Sequence, residues 1–280
     1  MIHLARERWA RLTDKRSQEV NLAEGALLIA ADEYETLDID VYLTRIEDMA
    51  GALRRRLRSD IGPTEALLAL NRYVFDELGF TGNTGDYYDP RNSFLNDVIE
   101  RRLGIPITLA VLYIEIGRRI GLPLEGVSFP AHFLVKCVLR EGTIVIDPYA
   151  RGASLAIADL QQRLKALSNQ VEPDPAVVTR FLAAADPKEI LARMLRNLCG
   201  IYKNRREPLK ALAATNRVVA LLPESAEDYR ERGELHAELE CFRAGVGDFR
   251  HYLKLRPDAQ DSEAVARRIA ELEPLVARLN

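Results

Sequence analysis

Two residues combine types and spacing suited to proton chemistry, His132 and Asp147. They belong to neighbouring β-like runs, 132–139 and 143–147, with Glu141 and Gly142 turning between them. Their separation is odd, so an antiparallel hairpin with an even-numbered loop puts both side chains on one face of the sheet. With the loop over 139–142, Asp147 lies opposite Leu134, one diagonal step from His132 and about 7–8 Å away by backbone. An imidazole and a carboxylate can hydrogen-bond across that distance, which fixes a tautomer and orients a base. The same pair can equally be structural, or part of a ligand pocket. A nucleophile is harder to find. Cys137 has the opposite parity to His132 and faces away, while Cys199 and Cys241 fall in helical sequence as small apolar residues. Thr108 offers a hydroxyl near a helix N-terminus. There it is either a nucleophile without an activated base or a first-turn residue bonding the backbone. The cysteines are too far apart for a disulfide framework or a paired metal motif, so neither metal nor cofactor is expected.

The elements that must position these residues lie between 92 and 148. Ser93 is placed to cap a short helix with Leu95 and Val98 on one side, stopped by Gly104. Pro106 can open the next helix because its missing N–H is not needed there. That helix, 106–120, is apolar almost all round, with Ile107, Leu109, Ala110, Val111, Leu112, Ile114, Ile116 and Ile120. Such a helix is buried on most sides. It is too short to cross a bilayer, which takes about 20 apolar residues. Three β-like runs follow, over 124–129, 132–139 and 143–147. The expected centre is therefore a buried helix packed on an antiparallel sheet.

This order of elements resembles the core of the transglutaminase-like superfamily, and more narrowly the SirB-type bacterial proteins, which carry C-terminal tetratricopeptide repeats. The resemblance rests on Asn92-Ser93-Phe94-Leu95, Gly104-Ile105-Pro106-Ile107, Gly121-Leu122-Pro123, Pro130-Ala131-His132-Phe133 and Asp147-Pro148. It implies an α+β, papain-like core and a cysteine–histidine–aspartate triad, with His132 and Asp147 as its last two members. The first member is missing. The cysteine position reads Pro106-Ile107-Thr108, and no cysteine precedes Cys137. Thioester acyl transfer needs a thiolate. The resemblance thus implies a degenerate triad in a non-catalytic protein that binds or regulates a protein or peptide partner. The alternative is a hydrolase or acyltransferase using His132 and Asp147 with Thr108 or an activated water.

Composition agrees with a soluble, two-domain chain. Of 280 residues, 48% are hydrophobic and 29% charged, so sizeable cores are available. A net charge of −3 argues against nucleic acid as a partner. The opening MIHLARERWARLTDKR lacks the uninterrupted apolar run of a signal peptide, so the cytoplasm is the expected location and no membrane partner is expected.

Residues 1–79 read as helical. Residues 1–20 are only weakly periodic, around Trp9 and Leu12, and a helix is expected over 22–34. Leu43, Ile46, Ala50, Leu53 and Leu57 form a buried stripe, and Leu67, Leu70, Val74 and Leu78 another. Arg54, Arg55, Arg56 and Arg58 crowd a last turn, where positive charge favours the helix dipole. The loop 80–92 carries turn signals at Gly82-Asn83, Gly85 and Asp89-Pro90 that argue against regular structure. Loops of that length are often functional. Asn83, Tyr87, Tyr88, Asn92 and Ser93 are its candidate groove residues, with an Ω-loop packed on its own aromatics as the alternative.

Ser154 is expected to cap a helix ending at Leu167, with Leu160, Leu164 and Leu167 inward. The proline-rich stretch 168–187, holding Pro173, Pro175 and Pro187, reads as the domain junction, with a short helix around Val177, Val178, Phe181 and Leu182. The domains are placed at 1–185, with the core over 92–167, and at 186–280. In the second, Pro223 and Pro257 close similar segments 34 residues apart, the tetratricopeptide period. Ala211 and Gly233 take the small positions of that repeat and Phe249 its aromatic position, while His236 and Gly245 depart from the usual Tyr and Ala. An end helix with Val265, Ile269, Leu272, Leu275 and Leu279 completes an all-helical region.

Overall fold

The computed structural model describes residues 2–167 and 174–278. The expectations for Pro173 and Leu279 lie outside the described residues. Two compact units divide the chain, the first ending at Ile190 and the second starting at Leu191.

The first unit opens with helices α1 (Ile2–Asp14), α2 (Leu22–Ala30), α3 (Ile39–Arg54) and α4 (Pro63–Asn71). Trp9 and Leu12 are buried, which settles the first of them as a packed helix. Asn21 caps α2 by accepting from the Glu24 N–H, and Asp38 caps α3 by accepting from Asp40 and Val41. The α2 helix is shorter than the expected 22–34, ending before its acidic tail. The arginine run after α3 is bonded to this unit, Arg54 to Glu47 and the Arg119 carbonyl, Arg56 to Glu77, and Arg58 to Asp60 and Glu65.

After α4 the chain continues as a wider helical turn over Arg72–Glu77, and the loop 80–92 beyond it is more regular than its turn signals suggest. Thr81–Gly82 form a short strand, β1, which pairs in parallel with β2 (Leu103–Gly104). Between them lie a tight turn at Pro90–Asn92 and helix α5 (Leu95–Arg101). Ser93 is not the cap of α5, which Phe94 precedes directly, and the helix stops at Arg102 in the left-handed region rather than at Gly104. Gly104 serves packing, since a Cβ there would lie 2.9 Å from Thr108 Oγ1.

Helix α6 (Pro106–Arg119) is buried at every residue from Pro106 through Gly117, so its apolar surface does hold the centre of the unit. It packs on strands β3 (Leu124–Val127) and β4 (Leu134–Leu139), which continue antiparallel into β5 (Gly142–Asp147) and β6 (Ala153–Leu155). The β4–β5 register pairs Val138 with Thr143 and Leu139 with Gly142. That is the anticipated register, closed by a two-residue turn at Arg140 and Glu141 instead of a four-residue loop. Strand β6 takes Ser154 away from the capping role expected of it.

Cys137 pairs with Leu124, whose side chain reaches Gly117, so this face of the sheet meets α6. The opposite face carries Leu134 and Val145. These pack with Leu160 and Leu164 of helix α7 (Ile157–Leu167) and with Val178 of helix α8 (Pro175–Arg180). Leu167, expected inward, is 55% exposed.

The second unit is helical among its described residues. Helix α9 (Pro187–Asn204) leads into it, followed by α10 (Pro208–Leu221), α11 (Ala226–Glu238), α12 (Phe242–Leu255) and α13 (Ser262–Arg278). A Cβ on Gly233 would lie 2.8 Å from the Phe249 ring, and one on Gly245 3.1 Å from the Gly233 carbonyl oxygen. Only glycine lets α11 and α12 approach that closely.

Candidate functional site

Asp147 ends β5 and turns the chain. Its side chain accepts from the Tyr149 N–H at 3.1 Å and the Ala150 N–H at 3.3 Å, capping the short turn Pro148–Ala150. Pro148 suits the first position of that turn, where no N–H is needed. His132 is not on a strand, as its sequence run had implied. It sits in the turn just before β4, after Ala131 at φ 54°, and its own N–H donates to the Phe129 carbonyl at 3.1 Å. From there His132 Nε2 lies 2.9 Å from Asp147 Oδ1.

Sequence reasoning missed a third member. Arg163 Nη2 on α7 donates to Asp147 Oδ2 at 2.9 Å. The carboxylate is therefore held on both oxygens, and its side chain is only 2% exposed. Burial pushes the Asp147 carboxyl up, but the hydrogen bonds and charges of His132 and Arg163 more than offset this and hold it below the usual carboxylate range. An ionised carboxylate only accepts, so the His132 proton on this side resides on Nε2. The spacing of Leu160 and Leu164 could have signalled Arg163, because it puts residue 163 at the edge of the sheet-facing stripe.

A row of aromatic rings leads from His132 to the surface. His132 stands 6.1 Å from Tyr149, Tyr149 6.4 Å from Tyr87, and Tyr87 5.3 Å from Tyr88, all close to perpendicular. Tyr149, two residues beyond Asp147, was also missed. Its hydroxyl donates to the Asn83 carbonyl at 3.3 Å. Asn83 in turn fastens the loop, accepting from Gly85 and Asp86 and donating to Asn92 Oδ1 at 3.0 Å. Asn92 donates to the Asp86 carbonyl at 2.7 Å. The loop thus presents Tyr87 and Tyr88, 41% and 66% exposed, on a bonded frame.

Thr108 ends this chain of contacts on the helix side. Its hydroxyl donates to the Asn92 carbonyl at 2.7 Å and accepts from the Ile105 N–H at 3.1 Å. Ser93 does not join the row; its hydroxyl is buried and makes no hydrogen bond among the described residues. Cys137 is buried on the α6 face, where burial pushes its thiol up. Burial and Glu231 push Cys199 up to about 11. No group of three or more acidic, His or Cys side chains among the described residues could hold a metal ion. Among the same residues, no helix is long and apolar enough to cross a membrane.

The family model described as the transglutaminase-like superfamily matches residues 40–196. The chain belongs to that superfamily. This transglutaminase-like domain contains α6, His132 and Asp147. A tetratricopeptide repeat model matches residues 198–270, from within α9 to within α13. A UPF0162 protein of Xylella fastidiosa (strain Temecula1) is 38% identical over 94% of both chains. A UPF0162 protein of Pseudomonas aeruginosa is 31% identical over 92% of this chain and 93% of its own. Protein SirB1 of Salmonella typhimurium is 28% identical over 92% of this chain and 95% of its own. No solved structure matches the chain.

Proposed function

We propose that the chain is a cytoplasmic binding and regulatory protein whose transglutaminase-like domain holds a polypeptide segment without acyl transfer. Its tetratricopeptide helices would supply a further protein-binding surface, as stacked helical repeats can. One observation carries this reading: the side chains that could serve as a nucleophile are bonded or turned away from the His132–Asp147 pair, whose carboxylate is itself held on both oxygens. Asp147 accepts from His132, Arg163 and two backbone N–H groups. The Thr108 hydroxyl is bonded to Asn92 and Ile105, and Cys137 faces α6 from the other side of the sheet. A nucleophile needs a neighbouring base free to take its proton.

The test uses the full chain. Incubated with panels of peptide amides and activated esters, it should give no product beyond the background of a His132→Ala variant. Immobilised, it should retain members of a random peptide library. Turnover that falls about a hundredfold with His132→Ala, about 2.7 kcal/mol of transition-state stabilisation, would overturn the proposal in favour of a hydrolase or acyltransferase.

A further inference from the structure

We infer that the second unit binds an apolar group carrying a primary ammonium, in a cavity between α9, α10 and α11. Such a group is either a free amine or the amino terminus of a polypeptide with an apolar first side chain. The inference stands apart from the polypeptide holding proposed for the first unit.

The cavity encloses about 360 Å³, a size at the lower end of small-ligand pockets, which run from about 300 to 1,000 Å³. Its floor is Cys199, Thr215 and Val218, all buried. The Thr215 hydroxyl is turned to the Ala211 carbonyl at 2.6 Å, so the floor suits an apolar group. Charge gathers above it, on Arg196, Lys203, Glu227, Asp228 and Glu231. Asp228 accepts from Arg196 on both oxygens, at 3.0 and 2.6 Å, and Glu231 pairs with Lys203 at 2.5 Å. Three carboxylates thus face two cations, and Glu227 is the one left over. Its partner Arg256, at 3.2 Å, lines the neighbouring cavity instead. Glu227 is 69% exposed, and an ion pair that open to water contributes little. Glu227 is therefore available to a cation at the mouth. The Cys199 thiol reports the same negative field, since burial and then the Glu231 charge push it up to about 11.

Two local choices around this cavity work against stability. Gly200 lies inside α9, where glycine is less favourable than alanine. A Cβ there would meet nothing within 4 Å, so packing does not require the glycine. Its missing side chain leaves room at the cavity wall. Glu227 and Glu231 stand four residues apart on α11, where like charges repel. Unfavourable choices gathered around one cavity mark a place kept for a ligand, because local rules are broken chiefly at functional sites. A cation beside Glu227 relieves the repulsion, and an apolar body fills the room below.

The experiment titrates the full chain with leucinamide by calorimetry, beside alaninamide, N-acetylleucinamide and the peptide Leu-Gly-Ser-Gly amide. Leucinamide should bind with a Kd of about 1 mM or tighter. Acetylation removes the charge and should weaken binding at least about tenfold, and alaninamide, too short for the floor, should also bind more weakly. Glu227→Gln should weaken leucinamide about tenfold. Gly200→Leu should weaken it by a similar factor while the thermal midpoint holds or rises. Both positions are exposed, so these variants keep the fold. Binding of the peptide as well assigns the site to polypeptide amino termini, and binding of leucinamide alone assigns it to a free amine; each supports the inference. No leucinamide binding at about 10 mM, equal binding of the acetylated form, or equal binding by the parent and both variants overturns it.

Discussion

A buried carboxylate that accepts from an imidazole and a guanidinium together is a fastening as much as a catalytic part. The second unit builds the same set on helices. Asp248, 6% exposed, accepts from Arg232 at 2.6 and 2.9 Å, and His236 Nδ1 lies 2.9 Å from it. No strand or turn is needed for the combination, which argues for a holding role at Asp147 as well. That role has a pH signature. The native Asp147 carboxyl lies below its unfolded value of about 3.9, so its stabilisation is complete above that pH. It fades as the pH falls through the lowered native value. Asp147→Asn should therefore be less stable in urea at pH 7, by about 3 kcal/mol for one broken partner of a buried pair, with Arg163's partial exposure trimming its share. The gap should narrow below about pH 4. A gap that stays constant down to about pH 3 would mean the ionised carboxylate is not the stabilising form. The β4–β5 register was legible from parity, and it brings Asp147 beside the turn ahead of β4 from which His132 reaches it. Arg163 was legible only in part, because the Leu160 and Leu164 spacing marks the face it borders but not where along the sheet that face docks.

Among the elements, α6 was the most legible, since no amphipathic face remains when nearly every residue is apolar. The short strands were hidden. Strands β1, β2 and β6 have two or three residues each, too few for alternation to register. Ser154 resembles a helix cap in sequence yet pairs within β6, because tertiary pairing outweighed the local preference. Strand β1 also explains how the aromatic row is seated. A Cβ on Gly82 would lie 2.3 Å from Tyr149 Cε2 and 2.6 Å from Cδ2. Gly82→Ala should push that ring aside, at a cost of about 1–3 kcal/mol for an overpacked contact. The His132 ring protons should then shift in the NMR spectrum, because Tyr149 stands 6.1 Å from that imidazole. Unchanged His132 resonances in a folded Gly82→Ala protein would show that Tyr149 is not held by this approach.

Across the whole chain, the change from a mixed α+β region to paired helices was legible as a 34-residue period. Pro208 and Phe242 each open a helix of 14 residues, one period apart. The small residues at Gly233 and Gly245 mark where the second pair closes on itself. The stability of this region was less legible, because period alone does not say how many units suffice. Repeat helices bury their faces by stacking, and about three repeats are normally needed for independent stability. Here α9 with α10 and α11 with α12 make two pairs, and α13 is a single closing helix. Its packing is uneven, with Val265 and Leu272 buried but Ile269 and Leu275 only partly so. A Pro274 inside the helix also removes a backbone hydrogen bond. We therefore expect a fragment over 187–280 to show less helical signal per residue than the full chain. It should also melt broadly by circular dichroism, as an array does when its interfaces are too few to cooperate. A sharp cooperative transition with the full helical signal would show instead that two pairs and a closing helix are enough.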